Sequence, residues 1–112
     1  MLKFSFLIRR LQEISREEFI SYHKNNHAPL FSSIPEVETY IKKYAVSHPE
    51  EIDGFPHPMY DGVTDIYFSS LEDFNTFFAS KNYIEKVHPD ESNFIDLENV
   101  VILVSKETII LD

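Results

Sequence analysis

Residues 15–35, SREEFISYHKNNHAPLFSSIP, carry both the plainest helix signal and the plainest helix defect in the chain. Ser15 reads as an N-cap, with Glu18 three residues on completing a capping box and Glu17 adding negative charge to the first turn. At three-to-four spacing, Phe19, Tyr22, His23, Asn26, His27, Leu30 and Phe31 share one helical face. The helix is therefore expected to bury an apolar stripe with two imidazoles and an amide set into it. Pro29 then falls inside the pattern, just after His27-Ala28. It removes a backbone donor and presses on the carbonyl of Asn25, a defect of roughly 3 kcal/mol in a helix interior. A kink tolerated beside a titratable ring marks this helix as the place to seek a site.

Before the helix, residues 2–9 place Leu2, Phe4, Phe6 and Ile8 at strand spacing, with Lys3, Ser5 and Arg9 opposite. After it, Pro35 ends the helix, and alternation of Val37, Thr39, Ile41 and Lys43 with Tyr40, Lys42 and Tyr44 predicts a second strand over 36–47. Residues 48–61, with three prolines, a glycine and two histidines, form a loop long enough to be a lid. A third strand is expected at 62–69. Ser70 then caps a second helix facing Leu71, Phe74, Phe77 and Phe78 inward, residues 81–95 are short-helical or irregular, and 99–106 form a fourth strand. This order gives an α+β, ferredoxin-like βαββαβ fold with an antiparallel four-stranded sheet. Strands three and four are apolar on both sides, and two helices cover one face only. The other face is expected to pack on a second copy, closing a dimeric α/β barrel.

The 112 residues suit one domain, 1–112, and the 43% hydrophobic, 26% charged composition is that of a globular protein. The net charge of −9 argues against nucleic acid and anionic lipid as partners. The apolar run before Arg9-Arg10 is too short for a signal peptide or a membrane span. The absence of cysteine excludes a disulfide framework and a thiolate nucleophile, and fits a reducing cytoplasm. With Gly54 and Gly62 as the only glycines there is no glycine-rich phosphate loop, so no nucleotide cofactor is expected. A small hydrophobic ligand, or a protein partner, is left.

Four segments resemble the EthD family of the dimeric α/β-barrel superfamily, over nearly the whole chain. They are Ser15–Phe19 with Tyr22 and His27-Ala28-Pro29-Leu30; Pro35 with Tyr40; Tyr60-Asp61-Gly62-Val63 leading into Tyr67-Phe68; and Asp90 with Phe94 and Asp96. The resemblance implies the ferredoxin-like fold and a homodimer. It also implies a role in, or assisting, oxidative metabolism of small hydrophobic, aromatic or polyketide-like compounds, as in ether degradation. Relatives in the superfamily include cofactor-free monooxygenases, cyclases, dehydratases and isomerases, so the reaction itself stays open. At position 23 the family often has Trp, so the pocket wall is expected to be smaller and more polar here. Haem-degrading members rely on a pocket tryptophan, which this chain lacks.

His27 is the leading candidate for acid/base work, with a carboxylate from Asp61, Asp90 or Asp96 to favour its charged form. The alternative is a structural histidine that bonds the carbonyl orphaned by Pro29. Tyr22, His23, Asn26, Tyr67 and Phe94 are expected to contact ligand, and Tyr40 and Tyr44 are further hydroxyls within reach. His23 and His27 lie one helical turn apart, as metal-binding pairs do. Lys24 stands where zinc proteases carry a glutamate, and a third ligand would have to come from His48, His57 or His88, so no metal is expected. Asp61-Gly62 reads as a turn as readily as a partner for His27. Asp65 is expected to pair with Arg9 or Lys43, and Asp90, Glu91 and Asp96 read equally as a solvated acidic loop. The competing functional reading is a non-catalytic dimeric accessory or stress protein.

Overall fold

Strand β1 (Leu2–Ile8) lies inside a four-stranded sheet of order β2-β3-β1-β4, flanked antiparallel by β3 (Gly62–Phe68) and β4 (Val101–Lys106), with β2 (Lys43–Ser47) beyond β3. The computed structural model describes residues 1–112. Phe4 faces Ile66 and Ile8 faces Gly62 across the β1–β3 ladder, so both strands turn their even-numbered side chains to the helices. One buried cluster gathers Phe4, Ile66 and Phe68 with Phe31, Ile34, Phe77 and Val87. A smaller one joins Ile8, Phe19, Phe94 and Ile95. The odd-numbered residues form a sheet face with no helix on it. No helix is long and apolar enough to cross a membrane.

The first helix follows its start signals. In α1 (Arg16–Tyr22) the Glu18 N–H donates to Ser15 Oγ at 3.1 Å, and the Ser15 N–H donates to the Glu18 carboxylate at 2.9 Å. The α-helical bonding is not kept across His23–His27. Instead the chain widens into a π-helical turn, His23–His27, in which the Ala28 N–H reaches the His23 carbonyl, and runs on into α2 (Ala28–Ser33). The wider turn accommodates the proline ring and its missing donor. The same device recurs at Pro89: a π turn spans Tyr83–Val87, the His88 N–H bonds the Tyr83 carbonyl, and a 3₁₀ turn, His88–Asn93, follows.

Three expectations are corrected. Residues 36–40 form a helix, α3 (Glu36–Tyr40), and the strand begins only at Lys43. Pro35 holds a helical φ of −65°, Glu36 and Glu38 favour the first turn, and Val37, Tyr40 and Ile41 pack together on the core at helical spacing. Leu71, the first residue of α4 (Leu71–Phe78), is exposed, while Phe77 is buried and Phe74 and Phe78 flank it. Asp65 pairs with neither Arg9 nor Lys43. Ser5 stands directly opposite and donates to it at 2.8 Å, with Lys3 at 3.8 Å on the same face.

Gly62 is the tightest point of the sheet: an added Cβ would lie 3.1 Å from the Phe19 ring and 3.2 Å from Ile8 Cγ1. Both neighbours are fully buried and have nowhere to yield. Gly62→Ala is expected to cost about 1–3 kcal/mol by overpacking, read as a lower urea midpoint at unchanged slope.

Candidate functional site

Between sheet and helices lies a cavity of about 310 Å³. Its walls are mostly apolar: Phe4, Phe6, Ile8, Ile66 and Ile102 from the sheet, Phe31, Phe74 and Phe78 from the helices, and Phe94 and Ile95 after them. Ile102, more than half exposed on β4, marks the rim. Into this space point His23, His27, Tyr44, Thr64, Tyr83, His88 and Glu91. No residue of the 48–61 loop lines it, so the loop is not its lid.

His27 stands at the end of the first π turn, its ring against Phe94. Its Nδ1 meets Asp90 Oδ2 at 2.9 Å and therefore carries a proton, which leaves Nε2 as the nitrogen with no protein partner. Asp90 Oδ1 in turn accepts from the Tyr22 hydroxyl at 2.5 Å and from Asn93 Nδ2 at 2.9 Å. Partial burial opposes ionisation of Asp90. The hydrogen bonds from Tyr22, His27 and Asn93 outweigh it and hold the carboxyl below its ordinary value.

The next residue behaves oppositely. Glu91 is buried, accepts from the Tyr83 hydroxyl at 3.0 Å and lies 3.3 Å from His88 Nδ1. Desolvation raises its pKa despite the opposing influence of His88, Tyr83 and His27. Two adjacent carboxyl groups are thus shifted in opposite directions by their surroundings. Burial likewise raises the Tyr83 and Tyr44 hydroxyls. The Tyr44 hydroxyl is buried at the cavity without any hydrogen-bond partner, which is rare in folded proteins.

His23, 1% exposed, shares a 3.0 Å hydrogen bond with His48 through Nδ1 and lies 3.3 Å from the Thr64 hydroxyl through Nε2. Burial first, then the neighbouring imidazoles His48 and His27, lowers its pKa to about 3, so it is neutral near pH 7.

Of the residues expected from sequence, His27, His23 and Phe94 line the cavity, and Asp90 and Tyr22 support His27 from behind. Three do not join them. Asp61 accepts the Arg10 N–H at 2.8 Å and pins the entry to β3, serving as a turn residue. Asn26 is exposed, because the widened turn rotates it off the inner face. Tyr67, at an odd position of β3, lies on the helix-free face, where it donates to Glu107 at 2.9 Å and stacks under Lys3 and Lys43. No three His, Asp or Glu side chains are grouped to hold a metal ion. From sequence, Glu91 reads only as part of an acidic loop, Tyr83 and Thr64 are not singled out, and His48 reads only as a possible metal ligand. For the first two the only signal was the second Pro-bearing turn.

A ferredoxin-like α+β chain enclosing an apolar cavity with a carboxylate-supported histidine is the class that this fold and site define. A family profile described as the EthD domain matches residues 11–98, and the chain belongs to the EthD family. Among solved structures it is similar to an EthD family protein of Bacillus halodurans C-125, at 18% identity over 96% of this chain and 99% of that one, with a TM-score of 0.73. A dimeric protein of unknown function with a ferredoxin-like fold from Bacteroides fragilis NCTC 9343 is similar at 11% identity, 95% coverage of each chain and a TM-score of 0.69. An antibiotic biosynthesis monooxygenase follows at 9% identity, covering 96% of this chain and 99% of that one, with a TM-score of 0.62. No curated protein matches the sequence.

The depressed His23 sets the acid side of stability. The unfolded chain protonates this ring near pH 6.5 and the folded one only near 3. Its contribution is therefore complete above pH 6.5 and lost as pH falls toward 3, by up to about 1.4 kcal/mol per pH unit. Asp90 adds loss of the same sign below the ordinary carboxylate value, whereas Glu91 acts in the opposite direction as pH rises. Melting points between pH 7 and 4 are expected to fall steeply in the wild type and more shallowly in His23→Gln.

Proposed function

We propose that the protein binds a small, largely hydrophobic molecule bearing a carbonyl or phenolic oxygen, and that His27 moves a proton on it. The observation that carries this reading is the cavity itself: an apolar space of about 310 Å³ into which an unpartnered Tyr44 hydroxyl and the His27 ring both turn. That volume sits at the lower end of small-molecule sites, enough for a single or fused aromatic ring system. In such a complex Nε2 of His27 takes a proton from carbon or hydroxyl, with Asp90 stabilising the imidazolium through Nδ1. Tyr44, whose hydroxyl has no protein partner, donates to the substrate oxygen. This is the chemistry of enolisation, ring closure or cofactor-free oxidation. Membership of the EthD family, and the fold shared with an antibiotic biosynthesis monooxygenase, are in keeping with a place in oxidative metabolism of aromatic, quinone-like or polyketide-like compounds. A cysteine-free chain suits work in a reducing cytoplasm.

The test is a thermal-shift screen of hydroxylated aromatics, quinones and short polyketide mimics on the wild type and His27→Ala. A binder at a hundred times its dissociation constant stabilises the native state by about 2.7 kcal/mol. Hits that raise the wild-type melting point and weaken in the variant are expected. Hits that bind both equally would leave His27 structural and favour an accessory carrier without turnover.

A homodimer is part of the proposal. Ile102, Leu103 and Val104 of β4 are each about half exposed, Ile110 and Leu111 beyond it are 89% and 93% exposed, and the sheet face bearing Leu7, Val63 and Leu103 has no helix on it. An apolar edge and face of this kind call for a covering surface. Light scattering is expected to give a dimer for the wild type and a monomer for Leu103→Asp.

A further inference from the structure

His48 lies outside the cavity, on the first residue after β2, yet it is tied to the cavity wall through a single buried ring. Its Nε2 stands 3.0 Å from Nδ1 of His23, and Nε2 of His23 stands 3.3 Å from the hydroxyl of Thr64, which lines the cavity. His23 is almost wholly buried, while His48 is only partly so. The arrangement is held from outside. Arg16 of α1 donates to the carbonyl of Pro49 at 2.6 Å, fixing the backbone next to His48, and Phe19 packs edge-on against the His48 ring.

We propose that Thr64, His23 and His48 form a proton path linking the cavity to solvent. The path serves the proton that the cavity ligand gains or loses, and in that respect it rests on the function proposed above. For delivery, His48 and His23 both start as Nε2–H tautomers. A proton from water binds Nδ1 of His48. The Nε2 proton of His48 passes to Nδ1 of His23, the Nε2 proton of His23 passes to the Thr64 oxygen, and the former Thr64 hydroxyl proton passes to the ligand. Both rings end as Nδ1–H tautomers with no net charge left on the protein. Removal of a proton runs the steps in reverse.

The surroundings suit a relay rather than a charge store. The groups facing the pair are Arg16 from α1, Lys24 and His27 from the π turn, and the Thr64 hydroxyl from β3; no carboxylate among them would trap a proton on either ring. Burial together with Arg16 and Lys24 lowers the His48 pKa, so both rings rest neutral. His27 is outside the chain of hydrogen bonds, since its Nδ1 is committed to Asp90. It and the relay would reach the cavity as separate proton routes.

The test needs no ligand. In isotope-labelled protein, imidazole nitrogen spectra report the tautomers of His23 and His48, and saturation transfer reports how fast the ring N–H of His23 exchanges with water. The two rings are expected to share one tautomer, with exchange that quickens as His48 becomes protonated. In His48→Gln, whose slightly smaller amide cannot pass a proton, exchange at His23 is expected to slow by an order of magnitude or more. The smaller side chain admits water more easily, so slowing cannot come from occlusion. Unchanged or faster exchange in His48→Gln overturns the path, as do opposed tautomers in the wild type. If His48→Gln does not unfold cooperatively, His48→Asn reads the same outcomes. A failed relay leaves the ligand screen untouched, and a failed screen leaves the exchange result standing.

Discussion

The missing N–H of Pro29 is the constraint on which the site depends. An ordinary helical register would drive its ring into the Asn25 carbonyl. The chain answers with one turn of five-residue bonding, in which Ala28 reaches back to His23. Across that turn His23 and His27, four residues apart, keep the same inner face, with ring centres 6.3 Å apart. Pro89 enforces the same widening in the segment across the cavity and delivers Asp90 and Glu91 on consecutive positions. One proline thus follows the histidine and the other precedes the carboxylate that supports it. π turns cost hydrogen-bond quality and are concentrated at functional sites for that reason.

Low polarity in the cavity then sorts the ionisable groups. A histidine with no carboxylate beside it, His23, is driven to neutrality. A carboxylate given three donors, Asp90, is held below its ordinary value, and its more deeply buried neighbour Glu91 is pushed above it. Each outcome follows from how deeply the group is buried, set against the hydrogen bonds it receives. Sequence adjacency of Asp90 and Glu91 gives no hint of this. In a 3₁₀ turn two neighbouring side chains point to different surroundings, one toward the outer hydroxyl of Tyr22 and the other toward the buried Tyr83.

How much was readable in the chain beforehand divides along the same line. Strand alternation at Leu2–Ile8 and Gly62–Phe68, the capping box at Ser15 and the cap at Ser70 are local signals, and each appears in the structure where it was expected. His27 was legible because a proline follows it. Asn26 was misplaced because the spacing rule assumes an unbroken α-helix, and residues 36–40 were misread because Val37, Thr39 and Ile41 fit a period of two as well as Val37, Tyr40 and Ile41 fit a period near four. Glu91, Tyr83, Thr64 and His48 carry no local mark that points to the cavity. Their importance arises only when β3, the 83–93 segment and the start of the long loop converge on one space.

The position of that long loop has a consequence for how the chain can change length. Residues 49–61 touch none of the cavity, and only His48, at its start, bears on it through His23. Insertions and deletions after Pro49 would therefore pass without altering what the cavity admits. Between Tyr83 and Phe94 the tolerance is nil. A single added residue there would carry the wrong acid to His27 and leave its neighbour to face the cavity. Drift in the size of the protein is free in one loop and forbidden in the segment that carries the acids.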